Sequence, residues 1–200
     1  MRFIWNHAYL LMVLTALAWS GNGITGRGLN DIIPPIGLAF WRWVVAFPIV
    51  MIIAWPHLQK DLPKVRENWP ILLVLSVLSI TAYNTLLYYG LLTTTAINAL
   101  LINTSRPVVI VLLSILFFRQ GITLKQSFGF LLAFIGTVAI IIKAEISRFI
   151  SLEFNDGDLW VLAAMVCWAL FTVLLRKRPN MHPTSFVAVT IFFGALILFS

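Results

Sequence analysis

Apolar runs close to 20 residues long recur along this chain, separated by short polar segments. A helix rises 1.5 Å per residue, so runs of that length match a hydrocarbon core of about 30 Å. The pattern predicts seven membrane-spanning helices, over about residues 8–26, 35–55, 70–92, 96–118, 127–142, 159–175 and 184–200. The end of the first run, from Ser20 to Gly26, is glycine-rich and polar, which is tolerated only beside protein or water. Pro35 opens the second span, where its missing N–H costs nothing. Residues 56–69 carry Lys60, Asp61, Lys64, Arg66 and Glu67 and read as a polar loop. Thr93-Thr94-Thr95 reads as a tight uncharged connection, and 143–158 as a loop of mixed charge. On the fifth span Gly129, Ala133 and Thr137 recur every fourth residue, a small-residue stripe that lets another helix approach.

Composition agrees with this pattern. The chain is 60% hydrophobic and 10% charged, against about 25% charged in soluble domains. The fold class is therefore an all-α polytopic membrane protein, with the lipid bilayer as its solvent. The net charge of +7 raises nucleic acid as a partner, but the basic residues sit in short loops and form no basic face, so no nucleic-acid partner is expected. Cys167 is the single cysteine and lies in an apolar run, which makes it a packing residue. No metal-ligand spacing, nucleophile with a base, or glycine-rich phosphate loop is present in the sequence, so neither an enzyme nor a cofactor is expected. Placing the N-terminus inside puts nine Lys and Arg on inner segments and three, Arg27, Lys143 and Arg148, on outer loops. The positive-inside rule then predicts a multi-pass protein of the inner (plasma) membrane with a cytoplasmic N-terminus. Arg2 and the apolar run ending Ala16-Leu17-Ala18 imitate a signal peptide. An internal repeat assigns that segment to the mature fold instead.

The repeat has an offset of 149 residues. Trp19 and Trp168, Arg27 and Arg176, and Pro34 and Pro183 are each 149 apart, without a gap. Five spans fit within the offset, so the second copy enters the membrane from the opposite side. That is an inverted-topology repeat, the architecture of secondary transporters. Residues 1–148 form the first five-helix repeat and 149–200 begin the second with two helices. Three more helices are expected for a complete second copy. The open side of the cavity is expected to be closed by those helices or by a second copy of the chain.

The stretch from Tyr83 to Phe118 holds the candidate site, because it carries polar groups that hydrocarbon does not tolerate. Tyr83, Asn84 and Tyr88 lie on the third span, and the last two share a helical face. Asn98 and Ser105 share a face of the fourth span, with Asn103 and Arg106 on a neighbouring one. Two readings stand for these residues: a substrate cavity, or hydrogen bonds between helices. A guanidinium keeps its charge, so Arg106 binds an anionic group, or holds Asn103 or a backbone carbonyl, or, with Pro107 after it, sits near the outer surface and snorkels. Arg42, between Trp41 and Trp43, reads as structural through cation–π contact. Trp19 and Trp168 read either as facing walls of one cavity or as interface packing, and Asn22 and Thr172 are further candidates near the same helix ends. The seven acidic residues, Asp31, Asp61, Glu67, Glu145, Glu153, Asp156 and Asp158, all fall in loops or at span edges, so a proton relay on a mid-membrane carboxylate is not visible.

Several stretches carry a family resemblance. They are Leu17-Ala18-Trp19-Ser20, Ala39-Phe40-Trp41-Arg42-Trp43, Tyr83-Asn84 with Ala96-Ile97-Asn98-Ala99, Leu116 through Thr123, and Cys167 through Thr172. The chain resembles the drug/metabolite transporter superfamily of the EamA type. The resemblance implies ten helices in two inverted five-helix halves, and export or exchange of small metabolites, often amino-acid-like. Gln120 stands where the family commonly has a glutamate after the fourth helix. The alternatives are a non-transporting fragment or structural subunit, and a seven-helix receptor, which lacks a lysine for retinal in the last span.

Overall fold

A computed structural model describes residues 8–29, 32–119, 123–141 and 155–199. No strand occurs among the described residues. The chain is an all-α polytopic membrane protein. Its helices are α1 (Ala8–Leu29), α2 (Pro35–Glu67), α3 (Trp69–Ser76), a π-helical segment (Val77–Ala82), α4 (Tyr83–Thr93), α5 (Ala96–Thr104), α6 (Arg106–Phe118), α7 (Leu124–Ile141), α8 (Asp156–Leu174) and α9 (Pro183–Phe199). A 3-10 turn, Leu175–Lys177, extends α8. Three continuous helical stretches are long and apolar enough to cross a membrane: 36–67, 69–93 and 156–177. Shorter apolar helices cover 9–18, 106–118, 124–136 and 183–199.

The expected loop over 56–69 is helical instead: α2 continues through Pro48, Pro56 and Pro63 to Glu67. A proline removes one backbone bond and kinks a helix, but packing outweighs that loss here. Leu58 is buried and Val65 packs beside it, in a cluster with Leu72 and Leu75 of α3 and Met181, Phe186 and Val189. The charged end of α2 thus folds onto the starts of α3 and α9. The fourth span also differs from a single helix. It breaks at Ser105 into α5 and α6, with Pro107 in the first turn of α6, where proline is tolerated. Arg119 closes α6 in the left-handed conformation, at φ 51°. No described atom lies within 4 Å of a Cβ built on Gly129, so the partner expected on the small-residue stripe is not seen among the described residues. Of the expected loop over 143–158, residues 143–154 lie outside the described residues, and Asp156–Asp158 are helical instead, the first turn of α8, which Asn155 caps.

Two helix pairs build the centre: α8 runs along α4, and α9 along α2. The π segment leans on α9. Thr81 Oγ1 donates to the Gly194 carbonyl at 3.1 Å, and Ile80 fills the space beside Gly194. A Cβ on Gly194 would overlap Ile80 Cβ and Cγ2 and lie 3.1 Å from its Cγ1. Gly194→Ala is therefore expected to destabilise the fold by about 1–3 kcal/mol, as overpacking does. Thermal melting in detergent checks this, and an unchanged melting temperature would refute it.

Candidate functional site

Near the middle of the spans the helices bring together three side chains from distant points of the chain. Tyr83 sits ten residues before the end of α4, Arg106 ten after the start of α5, and Trp168 twelve after the start of α8. At 1.5 Å per residue these depths are about 15–18 Å, half of a hydrocarbon core. The Tyr83 and Trp168 rings lie 4.7 Å apart, with Phe171 5.4 Å from Trp168. The Arg106 guanidinium is 5.8 Å from both the Tyr83 and the Trp168 ring centres, within cation–π range. Its Nη2 donates to Asn103 Oδ1 and, at 3.4 Å, to the Tyr83 hydroxyl. Its Nε is buried with no hydrogen-bond partner among the described residues. No carboxylate pairs with it among them either; the ion pair they contain is Lys64–Asp61.

The chain break at Ser105 adds to this positive field. Ser105 makes no side-chain cap to α6, and Pro107 supplies no N–H. The first turn of α6 therefore presents the positive end of its dipole beside Arg106. Asn103 turns its amide back onto the Ala99 carbonyl, which leaves its oxygen for Arg106.

A second cluster lies beside it, one to five residues further along α4 toward Thr93. Arg42 Nη2 donates to Asn84 Oδ1 at 2.6 Å, and Nη1 donates to the Tyr88 hydroxyl. The guanidinium also stands 4.9 Å from the Trp43 ring and 5.6 Å from the Tyr88 ring. Asn84 completes its amide on the Ser79 and Ile80 carbonyls of the π segment. Asn84 and Tyr88 do share one face, as their spacing requires, and that face holds Arg42. Trp43 Nε1 and Thr85 Oγ1 are further polar atoms buried here without a partner among the described residues.

The third cluster closes the end of the bundle where α4 meets α8. Asp158 is 3% exposed. It accepts from Thr94 Oγ1, from Asn98 Nδ2 at 3.0 Å and from the Asn155 N–H at 2.9 Å. Asn155 in turn caps α8 by accepting from the Asp158 N–H, and its amide donates to the Thr93 carbonyl. Gly90 and Gly157 let the two backbones touch: a Cβ on Gly157 would lie 2.6 Å from both Gly90 O and Thr94 N.

The candidate residues thus divide. Tyr83, Asn103, Arg106 and Trp168 come together, with Ser105 at the helix break beside them. Asn84 and Tyr88 belong to the Arg42 cluster, and Asn98 to the Asp158 cluster. Thr172 bonds back to the Trp168 carbonyl at 2.8 Å. Trp19 and Asn22 fall on α1, and their side chains lie outside the described residues. Sequence reasoning missed Thr94 and Asp158 as a pair. Asn155 with an acidic residue three positions on is a capping-box signature that locates one half of that pair.

The EamA-like transporter family profile matches residues 6–142. The chain is 30% identical over 165 residues to the uncharacterized transporter YyaM of Bacillus subtilis, covering 82% of this chain and 54% of that protein. It is 33% identical over 175 residues to an uncharacterized transporter of Archaeoglobus fulgidus, covering 86% and 58% respectively. An uncharacterized transporter of Methanothermobacter thermautotrophicus is 26% identical over 201 residues, covering 94% and 58%. The chain spans a little over half the length of these curated relatives. No solved structure matches it. On the family match and these identities, the chain belongs to the EamA-like transporter family of the drug/metabolite transporter superfamily.

Proposed function

We propose that the protein is a secondary transporter of the inner membrane that exports or exchanges small metabolites by alternating access. Its solutes are amino-acid-like or other small molecules carrying an anionic group. Residues 1–148 act as the first of two inverted five-helix halves and 149–200 as the start of the second, with the N-terminus in the cytoplasm. The observation that carries this reading is Arg106: a guanidinium ten residues past the start of α5, with no carboxylate partner among the described residues and a buried Nε that has no hydrogen-bond partner among them. A charge at that depth needs a counter-charge, and a substrate anion supplies one. The uncapped start of α6 favours the same sign, and helices broken at the midplane are where transporters bind solute. Tyr83 and Trp168 would flank the solute's apolar part.

The test is transport by the full-length protein in proteoliposomes, screened with a panel of labelled amino acids and small carboxylates. Arg106→Ala is expected to remove about 2 kcal/mol of charge-assisted binding, a loss of roughly 30-fold in apparent affinity. Arg106→Lys retains the charge without the fork and falls between. Membrane insertion should be normal in both. Transport of a carboxylate at parental rate and affinity by Arg106→Ala would sink the site assignment.

A further inference from the structure

At the end of the bundle opposite Thr94, a cavity of about 270 Å³ opens between the charged end of α2 and the segment 180–182. Its polar lining is mostly basic: His57, Lys60 and Lys64 from α2, and Asn180 and His182 from the segment leading into α9, with Met181 as the apolar wall. The one acid there, Asp61, is already engaged at both oxygens. Lys64 Nζ donates to Oδ1 at 3.1 Å and the His182 N–H to Oδ2 at 2.9 Å. Lys64 also reaches the Asn180 carbonyl at 2.7 Å, and the His57 and His182 rings stack 3.7 Å apart. These contacts hold the walls in place. They leave the Lys60 ammonium exposed, with no partner among the described residues.

The depth of this cavity says which anion it meets. Trp55 and Trp69 flank the charged segment and are 55% and 54% exposed. Exposed indoles at the ends of spans mark the headgroup layer. Arg176, Lys177 and Arg178 follow α8 just ahead of the same cavity, and Arg178 lies over Phe186 near the start of α9. A basic pocket at headgroup depth, between transmembrane helices, is built for a phosphodiester. We propose that this cavity binds the headgroup of an anionic phospholipid, with Lys60 as the primary phosphate contact and His57 at its side. The lipid then bridges α2 to the entry of α9, two elements that the proposed function assigns to different halves.

The experiment uses the full-length protein in a neutral detergent, with melting temperature followed as lipid is added. The probes are short-chain phosphatidylglycerol, short-chain phosphatidylcholine and inorganic phosphate. Phosphatidylglycerol is expected to stabilise saturably, and the other two to leave melting unchanged. Lys60→Gln, an exposed change that leaves the packing intact, should raise the half-saturating phosphatidylglycerol concentration about fivefold, the weight of one lysine at an anionic surface. His57→Gln, combined with it, should weaken binding further, and native mass spectrometry should show fewer bound lipids. Equal stabilisation by phosphatidylcholine would overturn the proposal, as would a full response to inorganic phosphate alone. So would an unchanged phosphatidylglycerol titration in both variants. None of these readouts depends on transport, so they stand or fall apart from the role of Arg106.

Discussion

Asp158→Ala is expected to destabilise the protein by roughly 3–5 kcal/mol, the largest effect of any single substitution described above. The carboxylate is buried and collects three donors: the Thr94 hydroxyl, the Asn98 amide and the Asn155 N–H. Alanine takes the carboxylate acceptor away from all three, at about 1–3 kcal/mol for each group that water cannot reach. It also removes one half of the capping box that starts α8, worth about 1 kcal/mol. Partial repair by water and small shifts brings the sum down to the stated range. Asp158→Asn keeps the shape and one acceptor oxygen, so it should lose clearly less. Unfolding followed by circular dichroism in detergent gives the comparison. A loss under about 1 kcal/mol for alanine would mean that the cluster is no more than a solvated surface contact.

The second large effect belongs to the neighbouring glycine contact. A methyl group on Gly157 would meet Thr93 Oγ1 and, at 2.6 Å, both Gly90 O and Thr94 N. Two of those atoms are backbone, so no side-chain rotation relieves the overlap. Gly157→Ala should cost about 3 kcal/mol or more, at the upper end of overpacking. Gly90→Ala meets Val161 Cγ2 at 2.6 Å and Gly157 O at 2.8 Å and should cost a comparable amount. Neither glycine has a positive φ, so the requirement is close approach and not backbone freedom. Each substitution separates the same two helices. The double variant is therefore expected to fall well short of the sum, since the second methyl enters a gap already opened. Full additivity in melting experiments would show that the glycines act independently.

These two contacts also show what could be read from the residues alone. The spans were legible because hydrocarbon thickness sets a run length that composition reveals directly. The break at Ser105 had its sign in Pro107. The charged helix over 56–67 did not, because prolines and lysines argue locally for a loop. The counterargument, Leu58 and Val65 against Leu72, Leu75 and Phe186, is tertiary. Helical spacing placed Asn84 and Tyr88 on one face correctly, yet it is silent on what stands opposite. Arg42 is 46 residues from Tyr88, and no local rule joins them. For the same reason Arg106 was recognisable as a charge needing partners, while Tyr83 and Trp168 as its neighbours were visible only in three dimensions.

The π-helical turns at Val77–Ala82 have a consequence for how one span serves two tasks. An α-helix advances about 100° per residue, and one residue accommodated in wider turns sets the two ends out of phase by about that angle. Below the segment, Leu72 and Leu75 are directed at the cluster shared with α9. Above it, Asn84 and Tyr88 are directed at Arg42. A straight α-helix would fix the angle between the two sets by residue count alone, about 180° for Leu75 and Asn84, nine residues apart. The wide turns decouple them, so the lower half can be tuned for adhesion and the upper half for polarity without either sequence constraining the other's angle.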